Sequence, residues 1–354
     1  MSPDLSNVLR VTGGSLLAAG ALAAGAAVGA AAERALVARS ARRDPNWQLA
    51  EFNPEVHELI LDDGTWLHVE IDDPGNAPLT VVFCHGYALS ASSFAFQRRA
   101  LQGRARLVFY DQRSHGRSAR AERESHHVDQ LGNDLMAVID TFAPTGPLLL
   151  VGHSMGGMTI MALAEQHPEL FGDRVRGVAL ISTAAGGITE VSLGLPPIAR
   201  QAFHKFAPKV AMALANRKDV VEFGRRSSSD LSLILTRVLS FGSRASDEAG
   251  EFVASMIEAT PIDVLAEFLP ALQEHDKFDA LPVLQRVEVL VIVGDADRLT
   301  PKEHSEAIVR EIPGAEFVVI HNGGHMANIE FHDQVDQALL QLLSRVERNL
   351  RGVA

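Results

Sequence analysis

The chain has 354 residues, of which 47% are hydrophobic, 21% charged and 6% aromatic, a composition that excludes intrinsic disorder, collagen and a disulfide-stapled scaffold. The length suffices for one large α/β domain with an insertion, or for two domains, each with a sizeable core. With 32 Lys+Arg against 44 Asp+Glu the formal charge is −12, so the molecular field repels polyanions and nucleic acid is not an expected partner.

The first feature in chain order is the stretch from Val11 to Ala32, 22 residues without a charge. At 1.5 Å rise per residue a helix of that length covers about 30 Å of hydrocarbon. Most of it is Ala and Gly, which gain little from lipid, and Gly25 and Gly29 stand at the GxxxG spacing of close helix packing. Residues 1–44 are therefore set apart as an N-terminal apolar segment with three readings. It is a membrane anchor, a signal-like segment with Ala30-Ala31-Ala32 as a small-residue cleavage site, or an Ala-rich tethering helix. Arg34, Arg39, Arg42 and Arg43 follow the apolar run against Arg10 before it. For a span through residues 11–32 that asymmetry places the bulk of the chain on the cytoplasmic side of a membrane, with a cytoplasmic or secreted protein as the alternatives.

After Pro45 the pattern changes. His57 to Ile71 reads as a hairpin turning at Asp62-Asp63-Gly64. Six short apolar runs follow: TVVFCHG, RARLVFYD, GPLLLVGHS, VRGVALIST, VEVLVIVGD and AEFVVIH. Nearly continuous apolar runs are what strands buried on both faces look like. Helical stretches separate most of them, near Ser90–Leu101, Asp129–Phe142, Met155–His167 and Pro301–Glu311, and Asp333–Leu350 closes the chain. The expected fold is α/β: a mostly parallel, eight-stranded sheet with helices on both faces, entered through an antiparallel hairpin. Between Ser182 and Val287 about a hundred residues carry no strand signal, far beyond the usual ~2–6-residue connections, and their apolar residues fall at helical spacing. Residues 186–260 are expected to form a helical cap, and the stretch after Pro261 a helix returning to the sheet. Residues 45–185 and 261–354 then make up the core. An insertion at a strand's carboxyl end sits where open α/β sheets bind ligands.

The chemistry-bearing residues lie at three such ends. Directly after LLLV comes Gly152-His153-Ser154-Met155-Gly156 and then a helical stretch. Gly-x-Ser-x-Gly between strand and helix is a nucleophile elbow, in which a strained turn exposes the serine Oγ and the glycines let neighbouring backbone approach. A serine needs a base, and the base needs an orienting carboxylate. His325, in Asn322-Gly323-Gly324-His325-Met326, is the candidate base. Asp295 and Asp297, both after VEVLVIVG, are the candidate acids. The order Ser, Asp, His separates this arrangement from the other two serine-hydrolase lineages.

With these motifs the sequence resembles the α/β-hydrolase fold superfamily, in particular its lid-bearing serine esterase and lipase-like members, from about Glu55 to Val346. The resemblance implies Ser154 as nucleophile, Asp297 as the acid of Gly-x-x-Asp-x-x-x-Pro, and His325 as the histidine of the terminal Gly-His motif. Phe83-Cys84-His85-Gly86-Tyr87 resembles the family's HG turn, which implies the backbone N–H groups of Tyr87 and Met155 as the oxyanion hole. Tyr110 to Ser118 resembles the structural turn after the fourth strand, with Ser114 where Gly is usual, and His332 stands where many members have Pro. The implied activity is hydrolysis of carboxylic esters with a hydrophobic acyl or alcohol part, without cofactor or metal. Thioesterase, cofactor-free haloperoxidase, carbon–carbon-bond hydrolase and aminopeptidase chemistry share the same residues, and a non-catalytic scaffold is a further alternative.

Blander readings are expected for the remaining residues. His85, His115 and His153 read as structural hydrogen-bonding residues, and Asp134 as a surface or capping carboxylate. Cys84 reads as a buried small hydrophobe whose closeness to the oxyanion turn raises the prospect of oxidation.

Overall fold

The computed structural model describes Trp47, Leu49 and residues 52–188, 240–242 and 245–352. Strands β1 (Glu55–Ile60) and β2 (Trp66–Asp72) form the expected hairpin, closed by Gly64 at φ +82° and by the Asp63 side chain accepting from Thr65 N–H at 2.9 Å. The six apolar runs become β3 (Thr80–Cys84), β4 (Arg106–Tyr110), β5 (Leu148–His153), β6 (Val175–Ile181), β7 (Glu288–Gly294) and β8 (Glu316–Ile320). They join one eight-stranded sheet in the order β1-β2-β4-β3-β5-β6-β7-β8. β1 pairs antiparallel with β2, and β2 with β4; every pairing from β4 to β8 is parallel.

Period-two alternation splits each central strand between two cores. Val82 and Cys84 of β3, Leu148 and Leu150 of β5, and Val289 and Val291 of β7 face one side. There they meet Leu135, Val138 and Ile139 of α2 (Val128–Phe142) and Ile160, Met161 and Leu163 of α3 (Met155–Gln166). Val81, Phe83, Leu149, Val151, Leu290 and Ile292 face the other side, against α1 (Ala95–Leu101) and the carboxy-terminal helix. Each such side chain taken from water contributes about 1.5–3 kcal/mol, which is why both faces of these strands had to be apolar in sequence.

The interval between β6 and β7 contains no strand among the described residues. It holds helices α4 (Asp247–Ala259) and α5 (Ile262–Glu274), the latter being the return helix expected after Pro261, and a short turn of helix, α6 (Leu281–Leu284). Residues 189–239, most of the expected cap, lie outside the described residues. The two legs of the insertion are stitched together where they leave the sheet: Lys277 N–H donates to Ala185 C=O at 2.7 Å, the His275 ring nitrogen to Ala184 C=O at 3.1 Å, and Gly186 bridges Asp276. After β7 come α7 (Lys302–Glu311), α8 (Ala327–Glu330) and α9 (His332–Gly352). His332 is the first residue of α9, a position that suits Pro; here its ring stacks on Phe96 with centroids 4.1 Å apart. Residues 11–32 lie outside the described residues, among which no helix is long and apolar enough to cross a membrane.

Asp134 is neither a surface nor a capping carboxylate: it is 2% exposed, and its two oxygens accept from Nε and Nη2 of Arg113, both at 2.6 Å. Arg113 is fully buried in the turn after β4 and reaches Asp63 of the hairpin turn at 2.9 Å. One guanidinium thus ties the hairpin, the β4 turn and α2 together. Sequence missed it because Asp134 falls on the inward face of α2 among Leu131, Leu135 and Val138, where only a partner from elsewhere in the chain makes a carboxylate tolerable. Asp134→Ala leaves the buried guanidinium short of its main partner and is expected to lower unfolding stability by about 3–5 kcal/mol, read from chemical denaturation.

Candidate active site

Ser154 sits between β5 and α3 with φ 52° and ψ −119°, a left-handed conformation costly for any residue but Gly. Backbone contacts enforce it. Ser154 N–H donates to Ile181 C=O at 2.9 Å, and Ser154 C=O accepts from Thr183 Oγ1 at 2.7 Å and from Gly157 N–H at 2.9 Å. The flanking glycines are sterically required: a Cβ on Gly156 would lie 1.8 Å from the Cys84 carbonyl oxygen, and one on Gly152 2.5 Å from that of Gly156. The turn is therefore pressed against the end of β3, which brings the following Gly86-Tyr87 peptide beside the serine. A Cβ on Gly86 would lie 3.2 Å from the Ser154 Cβ.

His325 and Asp297 meet Ser154 from the ends of β8 and β7. Nε2 of His325 lies 2.9 Å from Ser154 Oγ, and Nδ1 lies 2.9 Å from Oδ2 of Asp297. Asp297 is buried and accepts from Leu299 N–H at 2.8 Å, Thr300 N–H at 2.9 Å and Thr300 Oγ1 at 2.8 Å. Burial alone would raise its pKa. The neighbouring His325 and these hydrogen bonds outweigh it and hold the carboxyl below the ordinary aspartate range, so it stays an anion facing Nδ1–H. That fixes the imidazole tautomer with Nε2 free to accept the serine proton. The rival, Asp295, points elsewhere: it accepts from His321 Nδ1 at 2.8 Å and Asn322 N–H at 2.6 Å.

Of the two backbone donors proposed for an oxyanion, Met155 follows the serine in the chain, and Tyr87 follows Gly86, which packs against the serine Cβ. Met155 is the first residue of α3, so its N–H has no partner within the helix. Tyr87 follows Gly86, and its peptide plane is set by His85. Gln112 N–H donates to His85 Nε2 at 2.8 Å, so the remaining ring proton is on Nδ1 and donates to Gly86 C=O at 2.8 Å. The Tyr87 hydroxyl donates to Leu265 C=O of α5 at 2.5 Å.

His85, His115 and His153 are all buried and hydrogen-bonded, as expected for structural residues. Burial lowers the pKa of His115 and of His153 to about 3, so both are neutral near pH 7. Ser114, the departure from Gly, takes φ +64° and offsets that strain through Oγ, which lies 2.8 Å from His126 Nε2 and accepts from Ala121 N–H at 2.9 Å. The residues alone gave no sign of Gln112, whose part depends on His85 and Thr159 from other segments, or of Thr300, for which the short spacing from Asp297 was the one local signal. Among the described residues no three His, Cys, Asp or Glu side chains converge as metal ligands would.

Oxidation at Cys84 is disfavoured. The side chain is fully buried, and burial pushes the thiol pKa up to about 12, which withholds the reactive thiolate. Iodoacetamide at pH 8 is expected to leave Cys84 unmodified in the native protein and to alkylate it in urea, as mass spectrometry would show.

Known proteins are similar to this chain in structure or in sequence. A thermophilic esterase from Thermogutta terrifontis superposes with a TM-score of 0.65 at 25% identity, over 83% of this chain and 99% of that one. A 2-hydroxy-6-oxononadienedioate/2-hydroxy-6-oxononatrienedioate hydrolase of Escherichia coli (strain K12) is 25% identical over 81% of this chain and 94% of its own. The dihydrolipoyllysine-residue acetyltransferase component of the acetoin cleaving system of Pseudomonas putida is 27% identical over 78% of this chain, which spans 66% of that protein's length. The family model for the alpha/beta hydrolase fold matches residues 80–331, from the first parallel strand to the residue after α8. With an elbow serine after β5, a carboxylate after β7 and a histidine after β8 on the matching sheet, the chain belongs to the alpha/beta hydrolase fold family.

Proposed function

We propose that the protein is a serine hydrolase of carboxylic esters. The observation that carries this reading is the unbroken series Ser154 Oγ, His325 imidazole, Asp297 carboxylate, each link 2.9 Å long, with the serine raised on a strained elbow. His325 Nε2 takes the Ser154 proton as Oγ attacks the ester carbonyl. Negative charge then develops on the carbonyl oxygen, where the Tyr87 and Met155 amides stabilise it by about 3–4 kcal/mol per donor. The protonated imidazole, stabilised by Asp297, returns its proton to the leaving alcohol. Water deprotonated by His325 hydrolyses the acyl-enzyme and regenerates the serine.

Apolar side chains on both sides of the triad favour a hydrophobic substrate. Tyr87 and Met155 pack with Val264 and Phe268 of α5, while Met326, next to His325, packs with Leu89, Phe241 and, on α4, Val253 and Met256. The insertion supplies α4 and α5, and on this reading residues 186–260 are a cap that selects the acyl or alcohol part. Residues 11–32 concern where the enzyme sits. As a membrane anchor they would place full-length protein in the pelleted membrane fraction and leave a chain starting at Asp44 in the supernatant; equal partitioning of the two would count against the anchor.

Wild-type protein is expected to hydrolyse p-nitrophenyl esters, with a preference that rises from acetate toward longer acyl chains. Ser154→Ala and His325→Ala are each expected to lower kcat by at least about 10⁴-fold. No turnover across the panel, with thioesters or vinylogous diketones cleaved instead, would move the assignment to thioesterase or carbon–carbon-bond hydrolysis. Failure of a fluorophosphonate to label Ser154 would favour a scaffold.

A further inference from the structure

The loop that carries His325 is held at its backbone by groups outside the triad. Gly324 N–H donates to Oε2 of Glu330 at 2.8 Å, His325 C=O accepts from His153 Nε2 at 3.0 Å, and Met326 N–H donates to Ser240 C=O at 2.8 Å. The same Glu330 oxygen also accepts from Gly242 N–H at 3.0 Å. Ser240, Phe241 and Gly242 belong to the insertion, so part of the grip on the histidine loop comes from there. At this crossing the two backbones touch: a Cβ on Gly242 would lie 2.0 Å from the Asn322 carbonyl oxygen, and one on Gly324 2.3 Å from Gly242 N. Phe241 is buried and packs in one cluster with Met326 and Ile329 on the loop side and with Val253 and Met256 of α4.

We propose that Glu330 is a positioning residue that couples the insertion to the catalytic base, one carboxylate oxygen bridging the strap Ser240–Gly242 and the histidine loop. The coupling rests on the reading of His325 as that base. Gly323 and Gly324 give the loop little stiffness of its own, so its position is set by what it is bonded to. Carboxylate acceptors form stronger hydrogen bonds than neutral ones, and two of them converge here. The imidazole spans Ser154 and Asp297 for one placement of the backbone only, and a displacement of about 1 Å can cost 10²-fold in rate. A substrate that reseats α4 against Phe241 therefore changes the alignment of His325 as well as its own affinity, and the insertion acts on kcat as well as on KM.

The test uses Glu330→Ala, which removes the bridge, Gly242→Ala, which disturbs it from the strap side, and Glu330→Gln, which keeps an accepting oxygen. Two readouts are followed beside the unfolding midpoint. One is solvent exchange of the His325 Nδ1 proton, seen as the low-field resonance that His325→Ala abolishes; the other is kcat and KM for a p-nitrophenyl ester. Glu330→Ala and Gly242→Ala are expected to speed that exchange at least about tenfold and to lower kcat by about 10- to 100-fold, with KM changed less, while Glu330→Gln stays within about threefold of wild type. Unchanged exchange and unchanged kcat in Glu330→Ala, with only the midpoint lowered, would overturn the proposal and leave Glu330 a purely structural residue. If wild-type protein shows the resonance but cleaves no ester, the ester assignment fails by itself, and proton exchange in the variants still decides the coupling.

Discussion

The site depends on one close approach, the backbone of Gly156 against the carbonyl of Cys84. A Cβ in place of the glycine hydrogen would stand 1.8 Å from that oxygen. The contact exists because β3 and β5 are neighbours in parallel register, Cys84 opposite Gly152, so the chain leaving β5 must turn tightly over the end of β3. That turn holds Ser154 at positive φ. It also puts the serine beside the Gly86-Tyr87 peptide and at the head of α3, so strain and electrostatic environment have one geometric origin.

Strain of this kind persists only where the surroundings over-determine it. Here they do so on several sides. Thr183 and Ile181, at the end of β6, bond the serine's own peptide groups. Gln112 and His85 fix the neighbouring peptide, and Thr159 of α3 donates to the Gln112 side chain at 2.9 Å, which returns the network to the elbow helix. Beneath it, the buried Arg113–Asp134 pair locks the β4 turn to α2. A buried ion pair is weak evidence for net stability, but it admits a single arrangement of the elements it joins, and these elements carry Gln112 into place.

The triad is a product of sheet order. Ser154 and His325 are 171 residues apart in sequence and 2.9 Å apart in space, because parallel strands deliver every carboxyl end to the same edge. Asp295 and Asp297 show how fine the selection is. Both follow β7, but the first turns to His321 and Asn322, the second to His325. Two residues of chain, one backbone hydrogen bond from Asp297 to Gly294 at 3.2 Å and the Thr300 hydroxyl decide which carboxylate meets the imidazole.

The sequence by itself determined what local physics can encode. Uninterrupted Val, Leu and Ile runs marked strands buried on both faces, and a serine bracketed by glycines between a strand and a helix marked the elbow. The order Ser, Asp, His marked the lineage, while the residues alone left Asp295 and Asp297 both open and only the resemblance to the family's Gly-x-x-Asp-x-x-x-Pro pattern implied Asp297. Only the tertiary structure decided the rest. It turned Asp134 from a surface group into the partner of a buried arginine and suppressed the Cys84 thiolate by burial. It also brought Gln112 to His85 and Thr159, and Glu330 to Gly242. The reason is common to all of these: a polar or ionisable group takes its meaning from its solvation and its partners, and in this fold both are supplied by segments distant in the chain.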